Sequence, residues 1–289
     1  MKAPAFAYAR PRALAEAFEL LARHGDAARI LAGGQSLLAM LNLRLASPAI
    51  LVDISGLEGM TGIAIADGQL RIGGLTRHRD IERSAQIALH CPLLTQAAPH
   101  IAHVAIRNAG TIGGSLALAD PAAEWPACCL ALDARLRLVS AEGERLVAAR
   151  EFFKGLYSTD LRPGEILTEV MIPLLPGYRS SFLELARRRG DYAIAGLAAL
   201  ARSESGTLRD VRLAYLGAGA TPVLAARAMK AAEGKPATPE VLEAVKQALE
   251  ADLAPLADTE NTPQTKLHLA KVLTGRALAT LATLAALAA

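Results

Sequence analysis

The fold of this chain is indicated most clearly by two short stretches, Ala32-Gly33-Gly34-Gln35-Ser36 and Thr111-Ile112-Gly113-Gly114-Ser115. Each contains a glycine pair beside a hydroxyl side chain. Glycine pairs allow backbone N–H groups to approach a phosphate closely, and the hydroxyl adds another donor. One such turn alone is more often only a tight connection. Two of them in one domain predict a pyrophosphate that is held from both sides.

The first turn lies inside a β-loop-α-β pattern. A short apolar strand is predicted over 29–31, a helical stretch over 36–45, and a buried strand over 50–54. A helix over 13–24 precedes this unit and ends at Gly25, as expected for a helix C-cap. The glycines therefore occupy the first turn of the unit.

The middle of the chain alternates between strand and helix patterns. Asp67-Gly68 at the centre of 63–74 is a strong hairpin signal. Helical spacing follows over 76–84 and 92–103. Asp120-Pro121 predicts the N-cap and first residue of a helix that continues to about residue 131. Further strands are predicted over 135–140, 145–149 and 165–172.

A proline-rich and glycine-containing segment, 173–177, predicts a linker between two domains. After it, short apolar runs predict a small antiparallel sheet over 182–185, 196–201 and 211–216. Two later helices begin at Thr238-Pro239 and Thr262-Pro263. On the last helix we expect one apolar face formed by Leu273, Leu281, Leu284 and Leu287.

Composition excludes several classes of protein. The 289 residues are 52% hydrophobic and 20% charged, which suits about two domains of roughly 150 residues. The net charge of +3 is spread over interspersed signs, so we expect no nucleic-acid partner. No stretch approaches the roughly 18 to 20 uninterrupted apolar residues of a membrane span. The N-terminus lacks a secretion signal, so we expect a cytoplasmic protein.

Metal ligands are scarce. The three cysteines, Cys91, Cys128 and Cys129, do not form a metal-binding pattern, and free buried thiols are the better interpretation. His100 and His103 form one close pair without a carboxylate or thiol at ligand spacing. We therefore expect no metal in this chain.

Two other motifs compete with the glycine turns. A strand over 211–216 leads into Gly217-Ala218-Gly219, which resembles the start of a dinucleotide-binding Rossmann unit but lacks its third glycine and its acidic second strand. The arginine run 187–189 could bind phosphate, although such runs are more often solvated loops or interfaces. No nucleophile-elbow serine or activated cysteine favours hydrolysis.

A family resemblance becomes specific when the glycine turns are taken with their neighbours. The chain resembles the FAD-binding medium subunit of molybdenum hydroxylases, of the carbon monoxide, xanthine and aldehyde dehydrogenase type, over essentially its whole length. The residues that carry this resemblance are Ala32-Gly33-Gly34-Gln35-Ser36-Leu37, the run Ile106-Arg107-Asn108-Ala109-Gly110 before the second turn, and Ala119-Asp120-Pro121-Ala122-Ala123-Glu124 after it.

The resemblance implies an α+β fold. An FAD-binding domain of the vanillyl-alcohol-oxidase-like type would occupy 1–175, with subdomains at about 1–57 and 58–175. A C-terminal flavoprotein domain of antiparallel strands packed with helices would occupy 176–289. FAD would lie extended between the subdomains.

The resemblance also implies which residues bind the cofactor. The backbone and hydroxyl groups of the two turns would hold the pyrophosphate, and Ile101 and Leu167 would pack on FAD. Glu124 stands at the family's acidic position near the adenosine, and Glu184 replaces a lysine of vertebrate-type xanthine enzymes. The implied cofactor-binding set is Ala32, Gly33, Gly34, Gln35, Ser36, Ile101, Thr111, Ile112, Gly113, Gly114, Ser115, Glu124, Leu167, Glu184, Asp191 and Tyr192.

The activity that the resemblance implies is electron transfer. FAD in this chain would accept electrons from two-iron, two-sulfur clusters in a small partner subunit and pass them to a final acceptor. A molybdenum cofactor in a large partner subunit would oxidise the substrate, and the complex would be a dimer of heterotrimers. Two alternatives remain open: a stand-alone flavin oxidase or dehydrogenase of the same fold, and an assembly module that has lost its cofactor.

Overall fold

A computed structural model describes residues 2–283, and its three main sheets follow one another along the chain, so that the segments containing them are called the N-terminal, middle and C-terminal parts. The N-terminal part covers residues 2–57 and contains a three-stranded parallel sheet in the order β1-β3-β2. Its elements, in chain order, are β1 (Ala7–Ala9), α1 (Leu14–His24), β2 (Ala28–Leu31), α2 (Leu37–Asn42) and β3 (Ile50–Asp53).

The N-terminal part confirms the predicted β-loop-α-β unit. Strands β2 and β3 run parallel, with Leu31 opposite Asp53 at their carboxyl ends. The first glycine turn follows Leu31 directly, so it lies at this edge of the sheet, where loops of parallel sheets commonly bind ligands. Helix α1 buries Ala17 and Leu21 against the sheet and ends at Gly25 as predicted, with φ of 49°. Strand β1 was not predicted.

The middle part, residues 58–175, is a five-stranded antiparallel sheet in the order β4-β5-β10-β6-β7, with short helices on it. Trp125 and the strand residues Leu70, Ile72 and Leu136 are fully buried in its core. The elements are β4 (Ile63–Ala66), β5 (Gln69–Gly73), α3 (His78–Glu82), α4 (Ala85–His90), α5 (Pro92–Ala97), α6 (Val104–Arg107), α7 (Ile112–Leu118), α8 (Glu124–Ala131), β6 (Arg135–Ser140), β7 (Gly143–Ala148), α9 (Ala149–Phe152), β8 (Phe153–Gly155), β9 (Ser158–Thr159) and β10 (Ile166–Pro173).

Two predicted helix boundaries in the middle part are wrong. The helix predicted to begin at Pro121 begins at Glu124, because the Asp120 carboxylate accepts from the Ala122 amide at 2.9 Å and closes a local turn before it. The helix predicted over 92–103 ends as α5 at Ala97 and continues only as a 3-10 turn over Ala98–His100, because Pro99 has no amide hydrogen with which to extend the α-helical hydrogen bonds.

The C-terminal part, residues 176–283, contains a four-stranded antiparallel sheet in the order β11-β12-β13-β14. Both predicted Thr-Pro helix starts are confirmed, since Thr238 and Thr262 each accept a hydrogen bond from the backbone amide three residues later. The elements are β11 (Arg179–Ala186), β12 (Ala193–Glu204), β13 (Thr207–Leu216), β14 (Val223–Leu224), α10 (Ala226–Ala232), α11 (Pro239–Asp252) and α12 (Pro263–Thr283).

Both faces of the C-terminal sheet are buried. On β12, Ala198 and Leu200 join the core of the middle part, whereas Leu197 and Ala199 pack with α10, α11 and α12. This alternation has the period of two expected of a strand. The sheet therefore joins the two cores. On α12 the predicted leucines 273 and 281 are buried, and residues 284 and 287 lie outside the described residues.

The Rossmann alternative does not fit this topology. Strand β13 pairs antiparallel with β12, and β14, which follows Gly217-Ala218-Gly219, pairs antiparallel with β13. A dinucleotide-binding unit needs parallel strands joined by a helix. Gly217 instead joins two parts of the chain, since its amide donates to the Pro121 carbonyl at 2.8 Å. None of the helices described within residues 2–283 meets the length and hydropathy needed to cross a bilayer.

Candidate cofactor site

The two glycine turns, about eighty residues apart in sequence, touch each other. A Cβ atom on Gly33 would lie 2.7 Å from the Gly110 Cα and would also clash with the Ala109 carbonyl oxygen. A Cβ atom on Gly114 would lie 3.8 Å from the Cβ of Ala32. Backbone therefore rests on backbone where the first turn meets the residues around the second. Only a residue without a side chain fits at position 33.

The first turn, Ala32–Ser36, presents free donors. Gly34 has a φ of 71°, and its carbonyl accepts from the Leu38 amide at 3.1 Å as α2 begins. The Gln35 side-chain amide donates to the Gly33 carbonyl at 2.8 Å. Within residues 2–283, no acceptor is found for the backbone N–H groups of residues 33–36. Consecutive unpaired amides at the carboxyl edge of a parallel sheet suit an anionic group.

Most amides of the second turn, Thr111–Ser115, donate to other groups of the protein. The Thr111 hydroxyl accepts from the Gly114 amide at 3.1 Å and caps α7. Three more of its amides donate to backbone carbonyls at 2.8 to 3.0 Å: Ile112 to Thr76, Gly113 to Gly74, and Ser115 to Thr111. The two turns resemble each other in sequence but differ in which donors they leave free.

Leu167 lies behind the second turn. The amide of Gly74 donates to the Thr168 carbonyl at 2.7 Å, and a Cβ atom on Gly74 would clash with the Leu167 carbonyl oxygen. The Gly74 carbonyl in turn accepts from Gly113. Leu167 is buried, with 6% of its surface exposed. The structure therefore places Leu167 next to the second turn, and its packing on the cofactor stays a prediction.

His78 packs against Gly110, the residue before the second turn, and the sequence did not single it out. Its amide donates to the Gly110 carbonyl at 3.0 Å, and a Cβ atom on Gly110 would lie 2.7 Å from the His78 Nε2. The Trp125 indole donates to the His78 Nδ1 at 2.9 Å. Burial, followed by the charge of Arg107, lowers the pKa of His78 to about 4, so the imidazole is neutral. A buried histidine beside a buried tryptophan has no distinctive sequence pattern.

Ile101 lies where the middle and C-terminal parts meet. Its side chain is buried, with 8% exposed, and the next residues lead to His103. Gly190 of the connection between β11 and β12 packs on His103, since a Cβ atom on Gly190 would lie 2.8 Å from the His103 Nδ1. Asp191 and Tyr192 follow Gly190 directly. The structure thus places three predicted residues from two parts of the chain at one junction.

Acidic side chains line the same junction. Glu124 begins α8, and Glu184 lies on β11 with a buried Oε2 atom that has no hydrogen-bond partner among the described residues. Burial and then the charge of Glu124 raise the pKa of Glu184 to about 8. Burial, with a smaller contribution from Asp120, raises the pKa of Glu124 to about 7. At neutral pH the protonated form is therefore well populated in this pair.

Tyr192 is the most exposed of the predicted site residues that contact this junction, with 76% of its surface exposed. Partial burial of the hydroxyl, and then the charges of Asp120 and Glu124, raise the pKa of Tyr192. Asp191 is held 3.6 Å from the Arg187 guanidinium. An exposed aromatic ring above a polar junction leaves room for a flat group to pack on it.

These residues fit an extended cofactor. The first turn offers unpaired amides to a phosphate group, the second turn packs against it, and apolar and aromatic side chains lie where the middle and C-terminal parts meet. The individual contacts of the sixteen residues named above remain predictions.

The comparisons with known proteins agree with this fit. The family model "FAD binding domain in molybdopterin dehydrogenase" matches residues 4–175, and "CO dehydrogenase flavoprotein C-terminal domain" matches residues 180–281. The chain is 44% identical over 225 residues to the 6-hydroxypseudooxynicotine dehydrogenase complex subunit alpha of Paenarthrobacter nicotinovorans, covering 77% of this chain and 76% of the relative.

Two further similarities extend over nearly the whole chain. It is 35% identical over 277 residues to the glyceraldehyde dehydrogenase medium chain of Sulfolobus acidocaldarius, covering 96% of this chain and 98% of the relative. A solved chain of carbon monoxide dehydrogenase from Hydrogenophaga pseudoflava is 35% identical and superposes with a TM-score of 0.94, covering 97% of this chain and 98% of that one. The chain therefore belongs to the family of FAD-binding medium subunits of molybdenum hydroxylases.

Proposed function

We propose that this chain binds one FAD non-covalently between its glycine turns and its interdomain junction, and that it transfers electrons to a final acceptor. The observation that supports this most directly is the row of unpaired amides at residues 33–36, next to a contact that only glycine permits at position 33. Such a turn can hold a pyrophosphate without a positively charged side chain.

In this proposal the residues divide the work along the cofactor. The amides of residues 33–36, with the hydroxyls of Ser36 and Ser115, hold the pyrophosphate, and the Thr111 hydroxyl supports them by capping the Gly114 amide. Ile101 and Leu167 exclude water from the cofactor's apolar faces, and Asp191 and Tyr192 cover it from the C-terminal part. Bound flavin supplies the ability to accept electrons singly and release them as a pair. Glu124 and Glu184 keep a proton close to the same junction.

The partners follow from the family. We infer a small subunit that carries two-iron, two-sulfur clusters and a large subunit that carries the molybdenum cofactor, in a cytoplasmic dimer of heterotrimers. The names of the relatives, a "complex subunit alpha" and a "medium chain", support a complex of several subunits. Substrate oxidation would then take place in the partner, and this chain's own chemistry would be limited to the flavin.

Absorbance of the purified protein tests the FAD site. The wild-type chain should retain flavin stoichiometrically, and the double variant Gly33→Val, Gly114→Val should retain none, because the new side chains would clash with the backbone of Ala109 and Gly110 and with the Thr111 hydroxyl. A double variant that keeps a full complement of FAD would overturn the assignment. Rapid bleaching of the isolated flavoprotein by small reductants would instead favour a stand-alone oxidase or dehydrogenase.

A further inference from the structure

A partly buried ion pair lies beside the second glycine turn. Arg107 on α6 is 7% exposed, and its Nε lies 2.8 Å from the Oε2 of Glu82 on α3. Its Nη2 lies 3.4 Å from the other oxygen of the same carboxylate. Two contacts to one carboxylate fix the plane of the guanidinium. The remaining nitrogen, Nη1, is thereby aimed in one direction.

That nitrogen holds a turn of the backbone. The Arg107 Nη1 donates to the carbonyl oxygens of Ile101 and Ala102, each at 3.1 Å. Ala102 has a φ of 42°, a left-handed conformation that is unfavourable for an alanine. A conformation of this kind persists only where its surroundings stabilise it. The two hydrogen bonds from Arg107 provide such stabilisation.

The same turn carries the contact to the C-terminal part. Gly190, with a φ of 88°, packs so closely that a Cβ atom would lie 3.0 Å from the Ala102 carbonyl oxygen and 2.8 Å from the His103 Nδ1. The Ala102 carbonyl therefore accepts from Arg107 and also contacts Gly190. A displaced turn at 101–103 would remove the support of the connection 187–192.

We propose that Arg107, oriented by Glu82, is a positioning residue that sets the place of the connection 187–192 through the turn 101–103. Arg107 performs no chemistry itself. The effect of Arg107 on cofactor binding, through the placement of Asp191 and Tyr192, rests on the proposed function. The effect of Arg107 on the connection 187–192 is independent of the proposed function and can be measured without FAD.

Trypsin provides the test, because the connection contains three consecutive trypsin sites, Arg187, Arg188 and Arg189. In the FAD-free full-length chain, Arg107→Met should speed cleavage there about tenfold, since local opening becomes easier by about 1.4 kcal/mol. Mass spectrometry identifies the fragments that end at these residues. Cleavage is measured well below the unfolding temperature of each variant, so that global unfolding does not contribute.

A matched control separates positioning from loss of stability. Arg145 also makes a close ion pair, at 2.6 Å to Glu165 and 2.6 Å to Asp160, but it donates to neither Ile101 nor Ala102. Arg145→Met should lower the unfolding temperature and leave cleavage at 187–189 within about twofold of wild type. Gly190→Ala should reproduce the fast cleavage with Arg107 intact, because the new Cβ meets His103.

The outcome of a double variant decides the mechanism. Arg107→Met and Gly190→Ala act on one contact, so their effects on the cleavage rate should be less than additive. Unchanged cleavage in Arg107→Met, or full additivity with Gly190→Ala, would overturn the proposal. If Arg107→Met does not fold, Arg107→Lys keeps the charge opposite Glu82 but loses the carbonyl contacts, and it should show the same acceleration.

FAD affinity forms a separate arm of the experiment. Arg107→Met should weaken FAD binding about tenfold, and Arg145→Met should leave it unchanged. If Arg107→Met is cleaved fast but the wild-type chain binds no FAD, the proposed function is contradicted and the positioning role stands. If the wild-type chain binds FAD but Arg107→Met is cleaved at the wild-type rate, only the positioning role is contradicted.

Discussion

The two glycine turns show how similar sequences can serve different purposes. The turn at 32–36 leaves four consecutive amides without an acceptor among residues 2–283, whereas the turn at 111–115 commits its amides to Thr111, Thr76 and Gly74. The first turn leaves a parallel strand, and the second caps a short helix. The difference supports the proposal that the first turn binds the cofactor through its backbone and that the second holds the first in place.

The largest effect is expected at Gly33. Gly33→Ala should weaken FAD binding about 100-fold, or roughly 2.7 kcal/mol, because its Cβ would meet the backbone of Ala109 and Gly110, which cannot move independently of the second turn. Titration of the FAD-free protein, followed by flavin fluorescence, measures the change.

Gly114→Ala is the matched control for this change. Its Cβ would meet the Thr111 hydroxyl at 2.9 Å rather than a backbone atom, so we expect a smaller loss of affinity. Equal losses at positions 33 and 114 would contradict the division of roles between the turns.

The next effect is a pH dependence of folding stability that comes from Glu184. This residue lies close to Glu124, at the start of the helix that follows the second turn. The pKa of Glu184 is raised from 4.5 to about 8, so the folded state prefers the protonated carboxyl. The stability from this preference is fully present below pH 4.5 and is lost as the pH rises toward 8.

Replacing the carboxyl should remove this dependence. Relative to wild type, Glu184→Gln should gain stability between about pH 5 and pH 8, on the order of 2 kcal/mol. Urea unfolding of the FAD-free protein across this range measures it. A constant difference between the two proteins would show that Glu184 ionises normally in the fold.

A third effect is expected at the cap of the second turn. Thr111→Val keeps the shape of the side chain but removes the acceptor for the Gly114 amide, which should cost about 1 kcal/mol of folding stability. Its effect on FAD affinity should stay well below that of Gly33→Ala. Thermal unfolding and flavin titration together measure both quantities. Loss of FAD affinity without loss of stability would assign Thr111 to the cofactor instead of the support.

The smallest effect is expected at Ser36, the matching hydroxyl of the first turn. Its side chain caps no backbone group of α2, so Ser36→Ala should leave the unfolding temperature nearly unchanged. Loss of one donor to the cofactor should weaken FAD binding about fivefold, or close to 1 kcal/mol. A drop in stability with unaltered affinity would reverse the roles assigned to Ser36 and Thr111.

Much of the fold could be predicted from local sequence. The Asp67-Gly68 hairpin, the Thr238 and Thr262 caps and the glycine end of α1 all depend on chemistry within a few residues. The end of α5 at Ala97 and the start of α8 at Glu124 were predicted less accurately. The choice between a cap and a local turn at Asp120, for example, depends on small differences in backbone energy.

The candidate site shows the same division. Gly33, Gly34, Thr111 and Gly114 were identified from sequence, because phosphate-binding turns need small residues and hydroxyls in short patterns. The supporting residues His78 and Arg107 act through residues up to 47 positions away, as in the hydrogen bond from Trp125 to His78. Such contacts leave no periodic or local signal in one sequence.

The two glycine turns, the alternation of strands and helices and the family that these patterns indicate can all be read from the sequence, since backbone conformation and hydrophobic periodicity are local properties. The unpaired amides of the first turn and the buried carboxyls at the junction become visible only in the folded chain. Hydrogen-bond partners and burial depend on residues that are distant in sequence, and folding alone brings those residues together.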